Sequence, residues 1–166
     1  MTEINSLSEE SWSMRIGRRL RPAIISGLGG FLVIYILSEL SATLGVLLLV
    51  APFGASCVLV FALPQSPLAQ PKNVIGGHLI SAFIGVAVFA LLGAHPLSFA
   101  LAVGLAIAAM QATGTLHPPA GANPIVVLAT GASWPFLAMP MLSGTILIVG
   151  LAYCYHRFVS HRSYPS

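Results

Sequence analysis

The sequence has very little charge and contains no aspartate. Only 7% of its 166 residues are charged, and its four acidic residues are all glutamates. A soluble domain carries about 25% charged residues, so an ordinary soluble fold is excluded. The hydrophobic share of 57% and the mean hydropathy of +0.92 exclude a disordered chain as well, because disorder requires low hydrophobicity and high charge.

Cysteine is also scarce. The two cysteines, Cys57 and Cys154, both lie in apolar runs, and no Cys-x-x-Cys or Cys/His ligand spacing is present. A disulfide framework and a structural zinc site are therefore not expected. We expect no metal and no cofactor.

The few basic residues flank a hydrophobic body. Between residues 22 and 156 only Glu39 and Lys72 are charged, and the remaining basic residues lie at the two ends: Arg15, Arg18, Arg19, Arg21, Arg157 and Arg162. Nucleic acid binding needs basic residues spread over a face, so no nucleic acid partner is expected. Arginines at both ends can instead hold the body to anionic lipid headgroups. The sequence predicts an integral membrane protein in a lipid bilayer.

Four stretches have the length of a membrane-crossing helix, which needs ~20 mostly apolar residues. They cover residues 22–40, 73–93, 97–116 and 139–158, with Pro22 expected in the first turn of the first helix. Two further apolar stretches contain prolines that a regular helix does not tolerate. Residues 44–63 are interrupted at Pro52-Phe53-Gly54, and the stretch up to residue 130 is interrupted at residues 117–121.

The predicted fold is therefore an all-α, polytopic membrane protein with four full helices and two broken, half-helical or re-entrant segments. It comprises a polar and basic segment at residues 1–21, a transmembrane domain at 22–158 and a short tail at 159–166. Arginines before the first span and after the last favour a cytoplasmic location for both termini. That requires an even number of crossings, and four and six both satisfy it.

The two breaks belong to a weak internal repeat. Residues 52–56 and 119–123 share Pro, Gly and Ala at an offset of 67 positions, and Gly77 falls on Gly144 at the same offset. Paired Gly/Pro-interrupted segments in corresponding positions of two halves point to the substrate site of a transporter. The alternative interpretation is a pair of structural kinks.

A physical argument connects the breaks to anions. Short helices are expected to restart near Ala55 and Ala122, where the first N–H groups lack intrahelical partners and attract negative charge. The predicted substrate-binding residues are Pro52, Gly54, Ala55, Ser56, Thr113, Thr115, His117, Pro118, Pro119, Gly121, Ala122 and Asn123.

Two histidines at membrane depth are candidates for a proton or polar relay. His117 stands directly before two prolines, and His78 follows Gly76-Gly77. Ionisable groups inside a membrane are functional candidates by default, and histidine changes charge near neutral pH. The alternative role for His117 is to cap freed carbonyl groups.

Small residues recur every four positions in two of the spans. One ridge consists of Gly77, Ser81 and Gly85, and a second consists of Ala100, Gly104, Ala108 and Ala112. Such ridges let helices approach closely in lipid. We expect packing within the subunit, with a homo-oligomer contact as the alternative.

Three motifs in order resemble the HPP family of integral membrane proteins, named for its His-Pro-Pro tripeptide. They are residues 117–122 (HPPAGA), 52–56 (PFGAS) and 70–78 (QPKNVIGGH), and the resemblance covers roughly residues 21–155. It implies four transmembrane helices and, by similarity to members linked to nitrite transport, a nitrite-like substrate. Together with the absence of a transit peptide, it implies a bacterial or cyanobacterial inner (plasma) membrane protein.

The sequence thus predicts transmembrane transport of a small inorganic anion. Nitrite is the first candidate, and the helix-start argument admits nitrate, formate and bicarbonate too. No ATP-binding motif is present, so movement is expected to be secondary or passive. One alternative is a non-transporting scaffold or assembly protein. The other is a membrane-bound enzyme, which the scarcity of acids argues against.

Overall fold

The computed structural model describes the backbone of residues 2–166 and the side chains of residues 16–166. Within that range all regular secondary structure is helical, which confirms the all-α prediction. Six α-helices follow in order: α1 (Thr2–Leu44), α2 (Ala51–Cys57), α3 (Pro71–Leu92), α4 (Pro96–Ala112), α5 (Asn123–Thr130) and α6 (Ser143–Tyr155). Short π-helical turns extend α2 to Ala62 and flank α6 on both sides.

Three helical stretches are long and apolar enough to cross a membrane. They are Ile16–Leu44 within α1, all of α3, and Leu137–Ser160 around α6. Helix α4 has 17 residues, which is about 26 Å at 1.5 Å per residue. That is shorter than the ~30 Å hydrocarbon core, so a fourth full crossing stays a prediction. The chain is a multi-pass membrane protein.

Two predicted boundaries were wrong. Helix α1 begins well before Pro22, so this proline lies inside the helix and not in its first turn. Helix α4 ends at Ala112 and not at residue 116, because Gly114 adopts a left-handed conformation with φ +64°. Glycine reaches that region without the steric penalty that other residues meet.

The first break also lies earlier than predicted. Residues 45–50 are not helical, and α2 begins at Ala51 with Pro52 in its first turn. The predicted restart near Ala55 was therefore wrong, and Gly54 lies inside the helix. The physical reason is that proline fits the start of a helix, where its missing N–H would have no partner anyway. Pro52 starts this helix and does not interrupt one.

The second break lies where the sequence predicted it. Residues 113–117 are not helical, Pro118–Ala122 form a 3-10 helix, and α5 begins at Asn123. The restart was predicted near Ala122, within one residue of the observed start. Helix α5 ends at Thr130 and is followed by Gly131, which has φ +65°.

Helix α3 is the centre of the bundle and packs against α4, α5 and α6. Its small-residue ridge lies against the second break and α5: an added Cβ would lie 2.8 Å from Cβ of His117 at Gly77 and 2.9 Å from Cα of Pro124 at Gly85. This confirms packing within the subunit for that ridge. The second ridge, on α4, is exposed along Ala100, Gly104, Ala108 and Ala112. The expected packing within the subunit was wrong there, and the homo-oligomer contact stays a prediction.

Two glycines 67 positions apart make corresponding contacts with the opposite halves of the chain. A Cβ added at Gly77 would lie 2.8 Å from the carbonyl oxygen of Thr115. A Cβ added at Gly144 would lie 3.3 Å from the carbonyl oxygen of Leu48 and would overlap the ring of Phe53. Leu48 and Thr115 are themselves 67 positions apart. In each case a glycine of a long helix packs against a non-helical segment from the other half of the chain.

The residues after α6 fold back onto the first half. The Arg162 guanidinium donates to the carbonyl of Phe61 at 3.2 Å, and His156 Nε2 donates to the carbonyl of Val60 at 2.9 Å. These donors satisfy carbonyl groups that the π-helical turn after α2 leaves free. Tyr164 is 5% exposed, and its burial raises the pKa of the phenol to about 12.

Candidate functional site

Three polar side chains meet in the middle of the bundle. The hydroxyl oxygen of Ser56 lies 2.8 Å from Nε2 of His78 and 2.8 Å from Nε2 of His117. All three side chains have 0% exposure. Since buried polar groups must find partners within the protein, this serine is the shared partner of two imidazoles.

The second nitrogen of each histidine also has a partner. His117 Nδ1 lies 2.7 Å from the carbonyl oxygen of Leu68. His78 Nδ1 lies 2.9 Å from the amide nitrogen of Asn123 and 3.2 Å from its amide oxygen. The Asn123 amide also donates to the carbonyl of His78 at 3.0 Å. We call Ser56, His78, His117 and Asn123 the polar cluster.

Each member comes from a different segment. Ser56 lies on α2, one turn after Pro52, and His78 lies on α3 with its ring edge-on to Phe53 at a centroid distance of 5.3 Å. His117 immediately precedes the 3-10 helix, and Asn123 is the first residue of α5. The cluster therefore joins both breaks to the central helix.

Gly77 brings the second break close enough for this contact. A Cβ at this position would lie 2.8 Å from Cβ of His117 and 2.8 Å from the carbonyl oxygen of Thr115. Asn73, one turn earlier, donates from its side chain to the carbonyl of Leu116 at 2.9 Å. The first turns of α3 thus hold the non-helical residues before His117 in place.

The hydrogen positions follow from the partners. The carbonyl of Leu68 only accepts, so His117 carries its proton on Nδ1 and accepts at Nε2 from the Ser56 hydroxyl. Ser56 then accepts from Nε2–H of His78, whose Nδ1 accepts from the Asn123 amide. With both imidazoles neutral, each ring nitrogen and the serine hydroxyl have a partner. One directed chain of hydrogen bonds runs from Asn123 to Leu68.

A groove lies between the two breaks, and no member of the polar cluster lines it. It has a volume of about 680 Å³, and its walls are Ala51, Pro52, Ala55, Leu59, Pro118, Pro119, Ala122, Ile125 and Val126. The structure therefore brings five of the predicted site residues together here: Pro52, Ala55, Pro118, Pro119 and Ala122. The groove wall is apolar, whereas the predicted anion site called for hydroxyl and amide contacts.

Ser56 and Asn123 do not serve the helix starts. Neither α2 nor α5 has a side-chain cap, and both side chains bond to the histidines. Neither side chain therefore satisfies the first N–H groups of its helix. Buried imidazoles with unpaired nitrogens compete for these side chains, since an unsatisfied buried polar group costs about 1–3 kcal/mol.

The remaining predicted residues lie around the cluster without joining it. The Thr113 hydroxyl donates to the carbonyl of Ala109 at 2.8 Å and lies 2.8 Å from the Thr115 hydroxyl, so both sit at the end of α4. Gly54 lines a cavity between α1 and α2, and Gly121 is half-buried in the 3-10 helix. Their substrate contacts stay predictions.

Sequence reasoning missed two features of the site. Ser56 was expected to bind substrate, and its place between two histidines was not foreseen, because Ser56 and His117 are 61 positions apart. The Leu68 carbonyl was missed entirely, since any residue supplies a carbonyl. The one available signal was the proline-rich loop at residues 64–71. Prolines donate no backbone hydrogen bond, so carbonyl groups in this loop are free to bond to side chains.

The hydrogen-bonded series Ser56, His78 and Asn123 resembles the nucleophile, base and orienting group of a catalytic triad. Ser56 has no exposed surface, however, and its hydroxyl is also bonded to His117. A substrate carbonyl has no access to the serine oxygen in this arrangement. The arrangement therefore differs from a nucleophile–base pair that is open to an acyl substrate.

Comparison with known proteins identifies relatives of this chain. A family model of the HPP transmembrane region matches residues 17–165. Two curated transmembrane proteins of Dictyostelium discoideum are 40% and 37% identical over 125 residues, which is 70% of this chain. The aligned part amounts to 44% and 40% of their own lengths, so the chain spans less than half of each. No solved structure matches.

Proposed function

Because this chain belongs to the HPP transmembrane family, we propose that it moves a small inorganic anion across a membrane, with nitrite as the first candidate. Nitrate, formate and bicarbonate are the other candidates. Movement is secondary or passive and runs between the two short helices that follow the breaks. The membrane we propose is a bacterial inner membrane, with both termini on the cytoplasmic side.

The observation that carries this proposal is the buried polar cluster inside an apolar bundle. In a hydrocarbon environment a polar group costs several kcal/mol unless it is paired, and ionisable residues at that depth mark ion pathways. Ser56, His78 and His117 are all 0% exposed, and they lie where both breaks meet α3. A purely structural kink does not require two imidazoles at this point.

We also propose that the chain consists of two related halves. Gly77 and Gly144, and likewise Leu48 and Thr115, occupy corresponding positions and make corresponding contacts. Ser56 and Asn123 are separated by the same 67 positions, and they flank His78 from its two ring nitrogens. Transporters with internal repeats bind their substrates at the interface of the repeats, near the middle of the bilayer. We therefore propose that the groove and the cluster belong to such an interface.

The decisive experiment measures anion uptake into liposomes that contain the purified protein. Nitrite uptake above that of protein-free liposomes is the expected result, and the protein-free sample corrects for leakage of nitrous acid through lipid. The same assay is run with nitrate, formate and bicarbonate. No protein-dependent uptake of any of the four would refute the proposal.

A matched pair of histidine variants locates the pathway. His117→Ala removes a buried imidazole that bonds to Ser56 and Leu68, and we expect uptake to fall sharply. The control is His161→Asn, at an exposed histidine in the tail with φ 53°, where asparagine tolerates the left-handed conformation. We expect the control to keep wild-type uptake. Equal uptake by both variants would contradict the pathway.

A further inference from the structure

Two members of the polar cluster have alternative hydrogen-bond partners. The Ser56 hydroxyl lies 3.2 Å from the carbonyl of Pro52 as well as 2.8 Å from His117 Nε2. Asn123 presents both its amide nitrogen and its amide oxygen to His78 Nδ1, at 2.9 and 3.2 Å. A donor and an acceptor within reach of one ring nitrogen serve it equally well with and without a proton.

We propose that Ser56 is a proton bridge between His78 and His117, and that the transported anion therefore moves together with a proton. This inference rests on the proposed function, since it names the ion that is coupled to the anion at the same site. The geometry that points to it is the hydroxyl lying 2.8 Å from both imidazoles.

The transfer step balances without any other reactant. It begins with His78 protonated on both nitrogens, so that Nδ1–H donates to the Asn123 amide oxygen and Nε2–H donates to Ser56. The Ser56 O–H bond breaks as its proton bonds to His117 Nε2, and the His78 Nε2–H bond breaks as that proton bonds to Ser56 Oγ. The hydroxyl is regenerated, and the positive charge has moved from His78 to His117.

The product state is accommodated as well. His117 now donates from Nδ1 to the Leu68 carbonyl and from Nε2 to Ser56, while the Ser56 hydroxyl, whose proton came from His78, donates back to His78 Nε2 at 2.8 Å. His78 keeps the proton on Nδ1, which still donates to the Asn123 amide oxygen at 3.2 Å. Each protonation state thus has a complete set of partners, which an asparagine and a serine supply by exchanging donor and acceptor roles.

Charge on the relay also needs a partner of opposite sign. The other titratable side chains on the elements that pack around the cluster are Cys57 on α2 and Lys72 in the first turn of α3; α4, α5 and the 3-10 segments carry none besides His117. Helices packed outside these elements contribute Arg18, Arg19, Arg21, Tyr35 and Glu39 from α1 and Tyr153, Cys154 and Tyr155 from α6. Glu39 is the one acidic side chain among residues 16–166, and it makes no hydrogen bond to the cluster. A protonated imidazole with no acid beside it attracts a small anion, which couples the two movements.

The test follows protons and anions in the same liposomes. A pH-sensitive dye inside reports proton entry, and nitrite uptake is measured in parallel, with and without an inward proton gradient. For the wild type we expect protons to enter with nitrite and the gradient to accelerate uptake. Nitrite uptake without proton entry above the protein-free level would overturn the relay and leave the proposed function standing.

Two serine variants assign the effect to Ser56. Ser56→Ala removes the bridging hydroxyl, and we expect proton entry to fall by about a hundredfold, since a positioned proton-transfer group contributes roughly that much. The matched control is Ser81→Ala: this serine is also fully buried and donates to the carbonyl of Ala120, outside the cluster. We expect the control to keep proton entry within about twofold of the wild type. Unchanged proton entry in Ser56→Ala would refute the relay.

A measurement on the wild type keeps the proposal testable if Ser56→Ala does not fold. Proton transfer through two hydrogen bonds slows in D₂O, so we expect a clear solvent isotope effect on dye-reported proton entry. Ser56→Thr retains a hydroxyl and is expected to retain the coupling. Equal rates in H₂O and D₂O would overturn the relay. Failure of anion uptake, with proton entry intact, would instead refute the proposed function.

Discussion

The glycine at position 77 sets the distance between α3 and the second break. An added Cβ would lie 2.8 Å from the Thr115 carbonyl oxygen, 2.8 Å from His117 Cβ and 3.3 Å from the Met110 sulfur. The first two atoms belong to backbone or lie next to it, so they cannot move aside as the end of a flexible side chain does. Gly77→Ala must therefore push residues 115–117 away from the helix.

The expected destabilisation follows from two opposing effects. Overpacking a closely packed site costs about 1–3 kcal/mol, whereas alanine in place of glycine inside a helix contributes about 1 kcal/mol of stability. The net expectation is a loss of up to about 2 kcal/mol. For a chain of this size 1 kcal/mol corresponds to roughly 2–4 °C in Tm, so Tm should fall by up to about 8 °C.

Thermal unfolding in detergent checks this value against Gly104→Ala. Gly104 lies inside α4 on its exposed face, and nothing lies within 4 Å of an added Cβ. This control gains the helical preference without overpacking, so its Tm should stay equal or rise slightly. Gly77→Ala should also lower nitrite uptake, because displaced residues 115–117 carry His117 away from Ser56. A rise in Tm for both variants would refute the close contact.

Other predictions concern single hydrogen bonds, each checked by thermal unfolding in detergent. Tyr155→Phe should lower the free energy of unfolding by about 1 kcal/mol, because the tyrosine hydroxyl donates to the carbonyl of Ile25 at 2.7 Å. Tyr164→Phe should be neutral or stabilising, since among the described residues its buried hydroxyl has no partner; equal losses in the two variants would contradict this. Asn73→Ala should lower the free energy of unfolding by about 1 kcal/mol and reduce nitrite uptake, because the Asn73 side chain donates to the Leu116 carbonyl at 2.9 Å. Unchanged uptake would contradict its role beside His117.

Several parts of the fold followed from local chemistry and were predicted well. The proline pair after His117 and the helix that starts at Asn123 were placed within one residue. The ridge on α3 was assigned to packing within the subunit, which the contact of Gly85 with Pro124 confirms. These features depend on residues close in sequence or on a strict helical spacing.

Other parts could not be predicted because the deciding partner is distant in sequence. A Pro-Phe-Gly triplet is compatible with the start of a helix and with a break in one, and the non-helical residues 45–50 decide for the start. The ridge on α4 has the same spacing as the ridge on α3 but is exposed. A spacing of four predicts that the small residues share one face of a helix. Whether another helix covers that face depends on the tertiary packing.

The candidate site divides in the same way. His78, His117, Ser56 and Asn123 were all singled out from residue type and from their position near a break. Their mutual contacts required the tertiary structure, since Ser56 and His117 are separated by 61 positions and α3 lies between them in the chain. The change of role followed from this: two side chains expected to bind an anion are instead the partners of imidazoles.

By itself the sequence determined that the chain is helical, lies in a membrane and contains two proline-marked segments. Composition and the length of the hydrophobic runs indicate a lipid environment, and in lipid such runs form helices. The tertiary structure decided which groups at the breaks meet. A buried imidazole accepts only partners within about 3 Å, and a separation along the chain carries no information about such a distance. Contact across α3 is what turned four polar residues into one hydrogen-bonded chain.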